Sequence, residues 1–253
     1  MMNQSVIKAL KLLDLFTEDV QELTLKDISS RADIPKPTAY RLLSALETSG
    51  FVYKTKENEH DSRYRLGLKL LELGKLVSDN LEIRSVALPF MQQLSRDINE
   101  VIHLVIVNHN QATYIEKVES TRALRLFTRI GKSSPLYIGS GPKMLLAFLP
   151  ETRQTEILCG SELTSLHTNE VIDREKLLQE LEQIKRKGYA YSIGEQDADT
   201  TGISYPIYDI HEQVIAALTV SGFSKHFEGN NLQQIKEKTK ETAMLISRQL
   251  GYR

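Results

Sequence analysis

One stretch near the N-terminus of this 253-residue chain constrains its fold more than any other, because two helical patterns follow each other there across a very short break. The first begins with Thr24 three residues before Asp27, which is the spacing of a capping box at a helix N-terminus. Pro35 interrupts it, and a second pattern resumes over residues 36–50. Gly50 suits the position just after a helix C-terminus. The stretch therefore predicts two helices joined by a tight turn.

A helix and a hairpin are predicted on either side of this pair. Upstream, apolar residues three or four positions apart predict a first helix over residues 5–16. Downstream, the strand-like runs 51–53 and 64–66 enclose a polar, charged segment and predict a β-hairpin with a long tip. Three helices followed by a basic hairpin is the element order of a winged helix-turn-helix, whose third helix enters the DNA major groove.

The local charge of this region differs from that of the whole chain. A formal net charge of −1 argues against a protein that coats nucleic acid nonspecifically. Between residues 36 and 69, however, seven basic residues outnumber four acidic ones. We therefore expect the third helix and the hairpin to contact double-stranded DNA. The predicted DNA-binding residues are Lys36, Thr38, Ala39, Tyr40, Arg41, Lys54, Lys56, Arg63 and Arg65.

Several of these residues also have a purely structural interpretation. Tyr40 is as well suited to packing as to DNA binding, and Arg41 is equally suited to pairing with a nearby acid. A charged hairpin tip is often only solvated. The order of the elements, rather than any one side chain, is what supports DNA binding.

The second half of the chain alternates strand-like and helical patterns, which predicts a single α/β domain. It follows a helix predicted over residues 67–80. That helix has more apolar side chains than packing against one small domain would bury, which predicts a partner helix. The predicted strands are 101–107, 112–118, 124–128, 188–193, 203–208 and 214–220. The predicted helices are 142–149, 151–159, 173–187 and 231–250.

Candidate catalytic residues occur in this domain without a spacing that supports catalysis. Cys159 is the only cysteine, which excludes an internal disulfide, and we expect it to be buried or inert. His103 lies in an apolar strand, where a structural histidine with its hydrogen bonds satisfied is the common outcome; His109 and His167 lie in polar turns. The sequence contains no HExxH, GxSxG or phosphate-loop motif. An enzyme is therefore disfavoured, and neither a metal nor a cofactor is expected.

The N-terminal residues do not indicate export. Lys8, Lys11 and Asp14 interrupt the apolar pattern, so a signal peptide is not expected. The sequence also lacks the run of about eighteen apolar residues that a membrane span requires. These observations predict a cytoplasmic protein without a membrane partner.

Four segments of the N-terminal region carry a recognisable pattern: SVIKALKLL at 5–13, PKPTAYRLL at 35–43, GFV at 50–52 and YRLG at 64–67. They resemble the DNA-binding domain of IclR-family transcriptional regulators, and nearly the whole chain follows the plan of that family. The family's usual Pro-Lys-Ser-Thr step is Pro-Lys-Pro-Thr here, which keeps Thr38 but removes one hydroxyl that would meet a phosphate.

The resemblance implies a GAF-like effector domain, with a pocket beside the loop at 139–141 that accepts small, often carboxylate-bearing metabolites. Backbone N–H groups at a helix N-terminus attract anions, although a Gly-Ser-Gly turn is more often an ordinary connector. Where the family commonly has Gly-Lys, this chain has Pro142 before Lys143, which removes one donor. The effector-binding residues that the resemblance implies are Ser140, Gly141, Ser192, Thr200, Gly202 and Ser221.

The predicted fold class is α/β (α+β) with three parts. These are a winged helix-turn-helix DNA-binding domain over 1–67, a linker helix over 68–84, and a GAF-like effector-binding and oligomerisation domain over 85–253. A homodimer is expected through the N-terminal domain and the helix at 67–80, because specific DNA sites generally consist of paired half-sites. The resemblance also implies a dimer of dimers.

The predicted function is a transcriptional repressor whose operator affinity is modulated by a small organic acid. One alternative keeps the DNA-binding domain but treats the C-terminal domain purely as an oligomerisation module. Another is a small-molecule enzyme. A change in DNA affinity on ligand addition distinguishes the effector-modulated repressor from the regulator with a purely oligomerising C-terminal domain.

Overall fold

The computed structural model describes residues 3–17, 19–56, 62–79, 82–122, 128–160, 162–166, 168 and 170–253; the side chains of residues 56 and 77–79 are not described. The chain forms two compact units, Met1–Leu81 and Glu82–Arg253. Each unit has a hydrophobic core of its own, so each is stabilised by burial of its own apolar side chains.

The N-terminal unit has the predicted winged helix-turn-helix arrangement. Its strands pair antiparallel in the order β1-β3-β2. β1 was not predicted, because two residues are too few to show the alternation of a strand. The hairpin strands also extend further toward the tip than predicted. The elements are α1 (Gln4–Leu13), β1 (Leu23–Thr24), α2 (Leu25–Arg31), α3 (Lys36–Thr48), β2 (Val52–Lys56), β3 (Ser62–Leu66) and α4 (Leu68–Asp79).

The capping box predicted at the start of α2 is confirmed. Thr24 Oγ1 accepts a hydrogen bond from the Asp27 N–H at 3.2 Å, and Asp27 Oδ2 accepts one from the Thr24 N–H at 3.1 Å. Hydrogen bonds from Thr24 lower the pKa of the Asp27 carboxyl group. Gly50 follows α3 with a φ of +75°, the left-handed conformation that favours glycine after a helix.

The C-terminal unit is a mixed α/β domain of the GAF-like type around a six-stranded antiparallel sheet with strand order β6-β5-β4-β9-β8-β7. Helices α5 and α9 pack against each other and the sheet, whereas α6, backed by α8, packs on the same central strands. Over the described residues, no helix combines the length and apolarity needed to cross a membrane. The elements are α5 (Glu82–Ile98), β4 (Val101–Asn108), β5 (Gln111–Val118), β6 (Ser133–Pro135), α6 (Ser140–Phe148), α7 (Glu151–Cys159), α8 (Arg174–Lys187), β7 (Ala190–Ile193), β8 (Thr200–Tyr208), β9 (Val214–Phe223), a 3₁₀ turn (Ser224–His226) and α9 (Gly229–Gln249).

Most of the predicted elements of this unit are confirmed within a few residues. The strand predicted at 124–128 lies outside the described residues except for Thr128, which is not in a strand. Helix α5 was not predicted. Pro89 lies in its interior, where a proline removes a helical hydrogen bond. Burial of Ala87, Met91 and Leu94 along one face stabilises the helix in spite of that loss.

Two expectations about single residues were wrong in part. Cys159 is exposed, because it is the last residue of α7 and follows the buried pair Ile157 and Leu158 on the turn of the helix that faces solvent. His103 is buried in β4, but neither of its ring nitrogens has a hydrogen-bond partner among the described residues.

Candidate functional site

The N-terminal half of α3 presents polar side chains to solvent. Lys36, Tyr40 and Arg41 are exposed, and Thr38 is half-buried. Ala39 is a correction to the predicted set: it is fully buried in the N-terminal core, so its methyl group is not available to a base. The exposed donors form the kind of surface that contacts base edges and phosphates in a major groove.

The basic residues of the hairpin divide into two groups. Arg63 and Arg65 both form ion pairs with Glu22, and Arg63 Nη1 lies 3.6 Å from a Glu22 carboxylate oxygen. Lys54 is half-buried in β2, opposite Tyr64 of β3. Lys56 is the last residue of β2, and its side chain lies outside the described part. The two strands of the hairpin therefore carry four basic residues, and the acidic residues Glu22, Glu57, Glu59 and Asp61 offset their charge.

All six predicted effector-binding residues line one cavity in the C-terminal unit. Ser140 and Gly141 contribute from the start of α6, Ser192 from β7, Thr200 and Gly202 from β8, and Ser221 from β9. The sequence places these residues as much as 81 positions apart, and the sheet brings them together. The remaining described residues around the cavity are Tyr114, Thr128, Glu195, Gln196, Asp197, Thr201 and Thr219.

The loop before α6 retains one N–H group that is available to a ligand. Gly139 donates its N–H to Glu195 Oε2 at 2.7 Å, and Ser140 donates its N–H to Ser192 Oγ at 3.0 Å. Pro142 has no N–H. Of the three N–H groups at positions 139–142, only that of Gly141 lacks a hydrogen-bond partner among the described residues. A carboxylate that docks on this helix N-terminus therefore meets a single backbone donor, at Gly141.

A row of hydroxyl groups runs beside that donor. Ser204 Oγ lies 2.8 Å from Ser140 Oγ and 2.8 Å from Thr219 Oγ1. Each hydroxyl is both a donor and an acceptor, so the row can reorient toward an added anion. The Thr200 hydroxyl instead donates to the Asp197 carbonyl oxygen at 2.6 Å. Thr200 therefore anchors the wall of the cavity.

Two glycines allow the helix to approach the sheet this closely. A β-carbon on Gly141 would lie 2.6 Å from Thr219 Oγ1, and one on Gly202 would lie 2.6 Å from Ser140 Oγ. Both distances are too short for ordinary contact. These positions therefore require glycine for packing, apart from any contact with a ligand.

Gln196 and Glu195 close one side of the cavity. Gln196 accepts a hydrogen bond from the Tyr114 hydroxyl at 2.8 Å and donates one to the Ile138 carbonyl oxygen at 3.1 Å. Burial raises the pKa of Tyr114 to about 12, so its hydroxyl stays protonated. Glu195 Oε1 lies 2.6 Å from Lys143 Nζ, and Lys143 is 2% exposed. One carboxylate thus holds both the loop and the buried ammonium group.

The enclosed volume of the cavity is about 20 Å³, which is enough for one water molecule. Cavities that bind small molecules usually measure about 300 Å³ or more. The cavity would therefore have to widen before an organic acid could enter it.

The two regions correspond to two family models. The model of the IclR helix-turn-helix domain matches residues 5–56, and that of the bacterial transcriptional regulator IclR C-terminal domain matches residues 75–248. The chain belongs to the IclR family. It is a transcriptional regulator with a helix-turn-helix domain for DNA and the C-terminal domain of that family.

Relatives of this IclR-family regulator match along almost its entire length. It is 38% identical to the HTH-type transcriptional regulator KipR of Bacillus subtilis, over 99% of this chain and 98% of that protein. It is 33% identical to XynR of Escherichia coli, over 98% of each chain. An IclR homologue from Microbacterium hydrocarbonoxydans in complex with 4-hydroxybenzoate shares 27% identity at a TM-score of 0.83, with 98% of this chain and 99% of that chain covered.

Sequence reasoning missed several residues that line the IclR-type cavity. Thr219 lies two positions from Ser221 on β9, so the alternation of polar side chains along an otherwise apolar strand was a signal that could have found it. Tyr114, Glu195 and Gln196 come from β5 and from a bend, where no periodicity marks them.

Proposed function

We propose that this IclR-family regulator is a repressor whose affinity for its operator is changed by a small carboxylate-bearing metabolite. The observation that carries the proposal is that Gly141, with its unpaired N–H, lines one cavity together with Ser140 and Thr219, whose hydroxyl groups are linked by the buried Ser204 hydroxyl behind them. A helix N-terminus and flexible hydroxyl groups together favour a carboxylate. A repressing action is supported by AllR of Escherichia coli, an HTH-type transcriptional repressor that is 28% identical over 98% of this chain.

The proposed DNA-binding surface consists of the exposed N-terminal half of α3 and the hairpin. Lys36, Thr38, Tyr40 and Arg41 would approach base edges, and the basic residues of β2 and β3 would approach phosphates. The ion pairs of Glu22 with Arg63 and Arg65 hold those guanidinium groups in place before DNA arrives. The proposed contacts in the hairpin are Lys54, Lys56, Arg63 and Arg65.

The proposed organisation keeps a DNA-binding domain over 1–67, a linker helix over 68–84 and an effector domain over 85–253. Leu68 and Leu71 of α4 are 81% and 71% exposed, which is unusual for leucine at two positions of one helix. We infer that α4 packs against its copy in a homodimer, and that effector domains join two such dimers. DNA as the target places the protein in the cytoplasm, and its action on DNA requires no catalytic activity.

The test is a titration of the purified protein against DNA from upstream of its own and neighbouring genes, at several salt concentrations and with a panel of small organic acids. Saturable, sequence-selective binding that one acid weakens is the expected result. Selective binding that responds to no acid would support a purely oligomerising C-terminal domain. Ser221→Ala serves as the pocket variant, and Ser85→Ala, at an exposed position on α5, as its control.

A further inference from the structure

His103 lies on the same face of the sheet as the effector cavity. In β4 it is opposite Thr219 of β9, which in turn is opposite Ser204 of β8. Directly opposed residues on antiparallel strands project to the same face. Since Thr219 lines the cavity, the imidazole of His103 lies one strand away from that wall. The spacing between neighbouring strands is about 5 Å.

The other neighbour of His103 also belongs to the cavity. Its ring packs edge-to-face against the Tyr114 ring, with centroids 5.4 Å apart and planes at 76°. The hydroxyl of Tyr114 reaches the cavity, where it donates to Gln196. His103 therefore lies between two residues that line the proposed effector site.

The imidazole has unused hydrogen-bonding capacity. His103 is 1% exposed, yet neither Nδ1 nor Nε2 has a hydrogen-bond partner among the described residues. Buried polar atoms are nearly always satisfied, and an exception in a native fold calls for an explanation. Burial, with a smaller contribution from Lys117, lowers the pKa of His103 to about 3. The ring therefore stays neutral at physiological pH and offers one donor and one acceptor.

A role limited to packing does not explain the residue. A phenylalanine ring would make the same edge contact with Tyr114 without two unsatisfied nitrogen atoms. What histidine adds at this position is a neutral donor and acceptor on the face of the sheet that also carries the polar cavity, next to the cavity residues Thr219 and Tyr114.

We propose that His103 is a specificity-determining residue of the effector site, where it hydrogen-bonds a hydroxyl or carbonyl oxygen of the ligand. This inference rests on the proposed function, since the ligand's carboxylate is held at Gly141. Thr219 lies next to Gly141, which would bind the carboxylate, and opposite His103, which would bind the second oxygen. The carboxylate and the second oxygen of the ligand would therefore lie about one strand spacing apart. The ligand class is therefore a short hydroxy or oxo acid.

The test uses the full-length protein and pairs of acids that differ by one oxygen: propionate with lactate, butyrate with 3-hydroxybutyrate, and benzoate with 4-hydroxybenzoate. Calorimetry measures the dissociation constant of each acid at about pH 5.5 and 8. The wild type is expected to prefer the oxygenated member of at least one pair by about tenfold, which corresponds to one net hydrogen bond. The neutral imidazole makes that preference independent of pH in this range.

His103→Phe is expected to reduce the preference to below about twofold while keeping the packing against Tyr114, and His103→Gln, which retains a donor and an acceptor, is expected to restore part of it. Ile102→Val, on the same strand and the opposite face, is the matched control and should leave the preference unchanged. Thermal unfolding establishes that each variant is folded.

Two results overturn the inference: a wild type that prefers no oxygenated acid, or a preference that His103→Phe retains. Failure of the proposed function is a separate result. It would be seen as a preferred acid that binds the protein without changing its affinity for DNA, whatever residue occupies position 103.

Discussion

Gly141 and Thr219 approach each other so closely that a β-carbon on Gly141 would lie 2.6 Å from Thr219 Oγ1. The contact joins the first turn of α6 to the middle of β9. Because Thr219 also belongs to the hydroxyl row, the packing of this domain and the chemistry of its cavity depend on the same atoms. A substitution here is therefore expected to affect both.

Gly141→Ala is expected to destabilise the C-terminal unit by about 1–3 kcal/mol, because overpacking forces a buried helix away from the sheet. Chemical denaturation measures the change in the free energy of unfolding. The matched control is Gly74→Ala in α4, where an added methyl group meets no atom within 4 Å. That control should be neutral or slightly stabilising. Equal effects at the two positions would contradict the proposed packing role.

Glu195→Gln removes a charge from the carboxylate that holds buried Lys143 and the Gly139 N–H. Lys143 would keep its ion pair with Glu180 but only a neutral hydrogen bond to position 195, so a loss of about 1–3 kcal/mol in the free energy of unfolding is expected, less than for a fully buried pair. Glu182→Gln is the control, since Glu182 is exposed and its oxygen lies 3.5 Å from Lys185 Nζ. Its effect should stay within about 0.5 kcal/mol.

Arg41→Ala is expected to weaken specific DNA binding by about 1–3 kcal/mol if the guanidinium group reads a base. Arg41 is exposed, so the melting temperature should not change. Arg174→Ala, exposed on α8 of the other unit, is the control. Fluorescence anisotropy on specific and scrambled DNA separates the outcomes. Equal losses on both DNAs would assign Arg41 to a phosphate instead.

Glu100 predicts a pH dependence of stability. Burial raises the pKa of its carboxyl group to about 7, against the opposing effect of Arg122. A pKa above that of the unfolded chain stabilises the fold below pH 4.5, and this contribution is lost as the pH rises through about 7. Melting temperatures at about pH 5 and 8 should therefore differ less in Glu100→Gln than in the wild type. Glu119→Gln, at an exposed position, should retain the wild-type difference.

Leu71→Lys is expected to halve the mass of the proposed assembly, from a tetramer to dimers joined through the effector domains, because it places a charge in the proposed α4 interface. Sedimentation velocity measures the change in mass. Leu166→Lys introduces the same charge at a half-exposed leucine in the other unit and should leave the mass unchanged. A mass that does not fall in the α4 variant would place the interface elsewhere.

The sequence was informative where a local rule decides the structure. The Thr24 and Asp27 capping box and the left-handed Gly50 follow from hydrogen bonding and backbone sterics within a few residues. Helix α5 was missed because tertiary burial outweighs Pro89, and β1 because its two residues, whose partners lie 41 and 39 positions away, are too few to show the alternation of a strand. Ala39 is apolar at a predicted DNA-facing position, and only the three-dimensional core shows that it points inward.

The cavity was predictable only in part for a similar reason. Residues carried over from the resemblance lie in it, whereas the hydrogen bonds that occupy the N–H groups of Gly139 and Ser140 depend on Glu195 and Ser192, more than 50 positions away. No local sequence pattern predicts partners at such a distance along the chain.

Thr24 belongs to two elements at once. It is the last residue of β1, which pairs with the wing strand β3, and it is also the residue that caps α2. A displacement of the β2–β3 hairpin on DNA binding would therefore be passed through Thr24 to α2, the helix that precedes α3. The β2–β3 hairpin and α3 should consequently be coupled in DNA binding. A substitution that increases the mobility of one is expected to make the position of the other on DNA less precise.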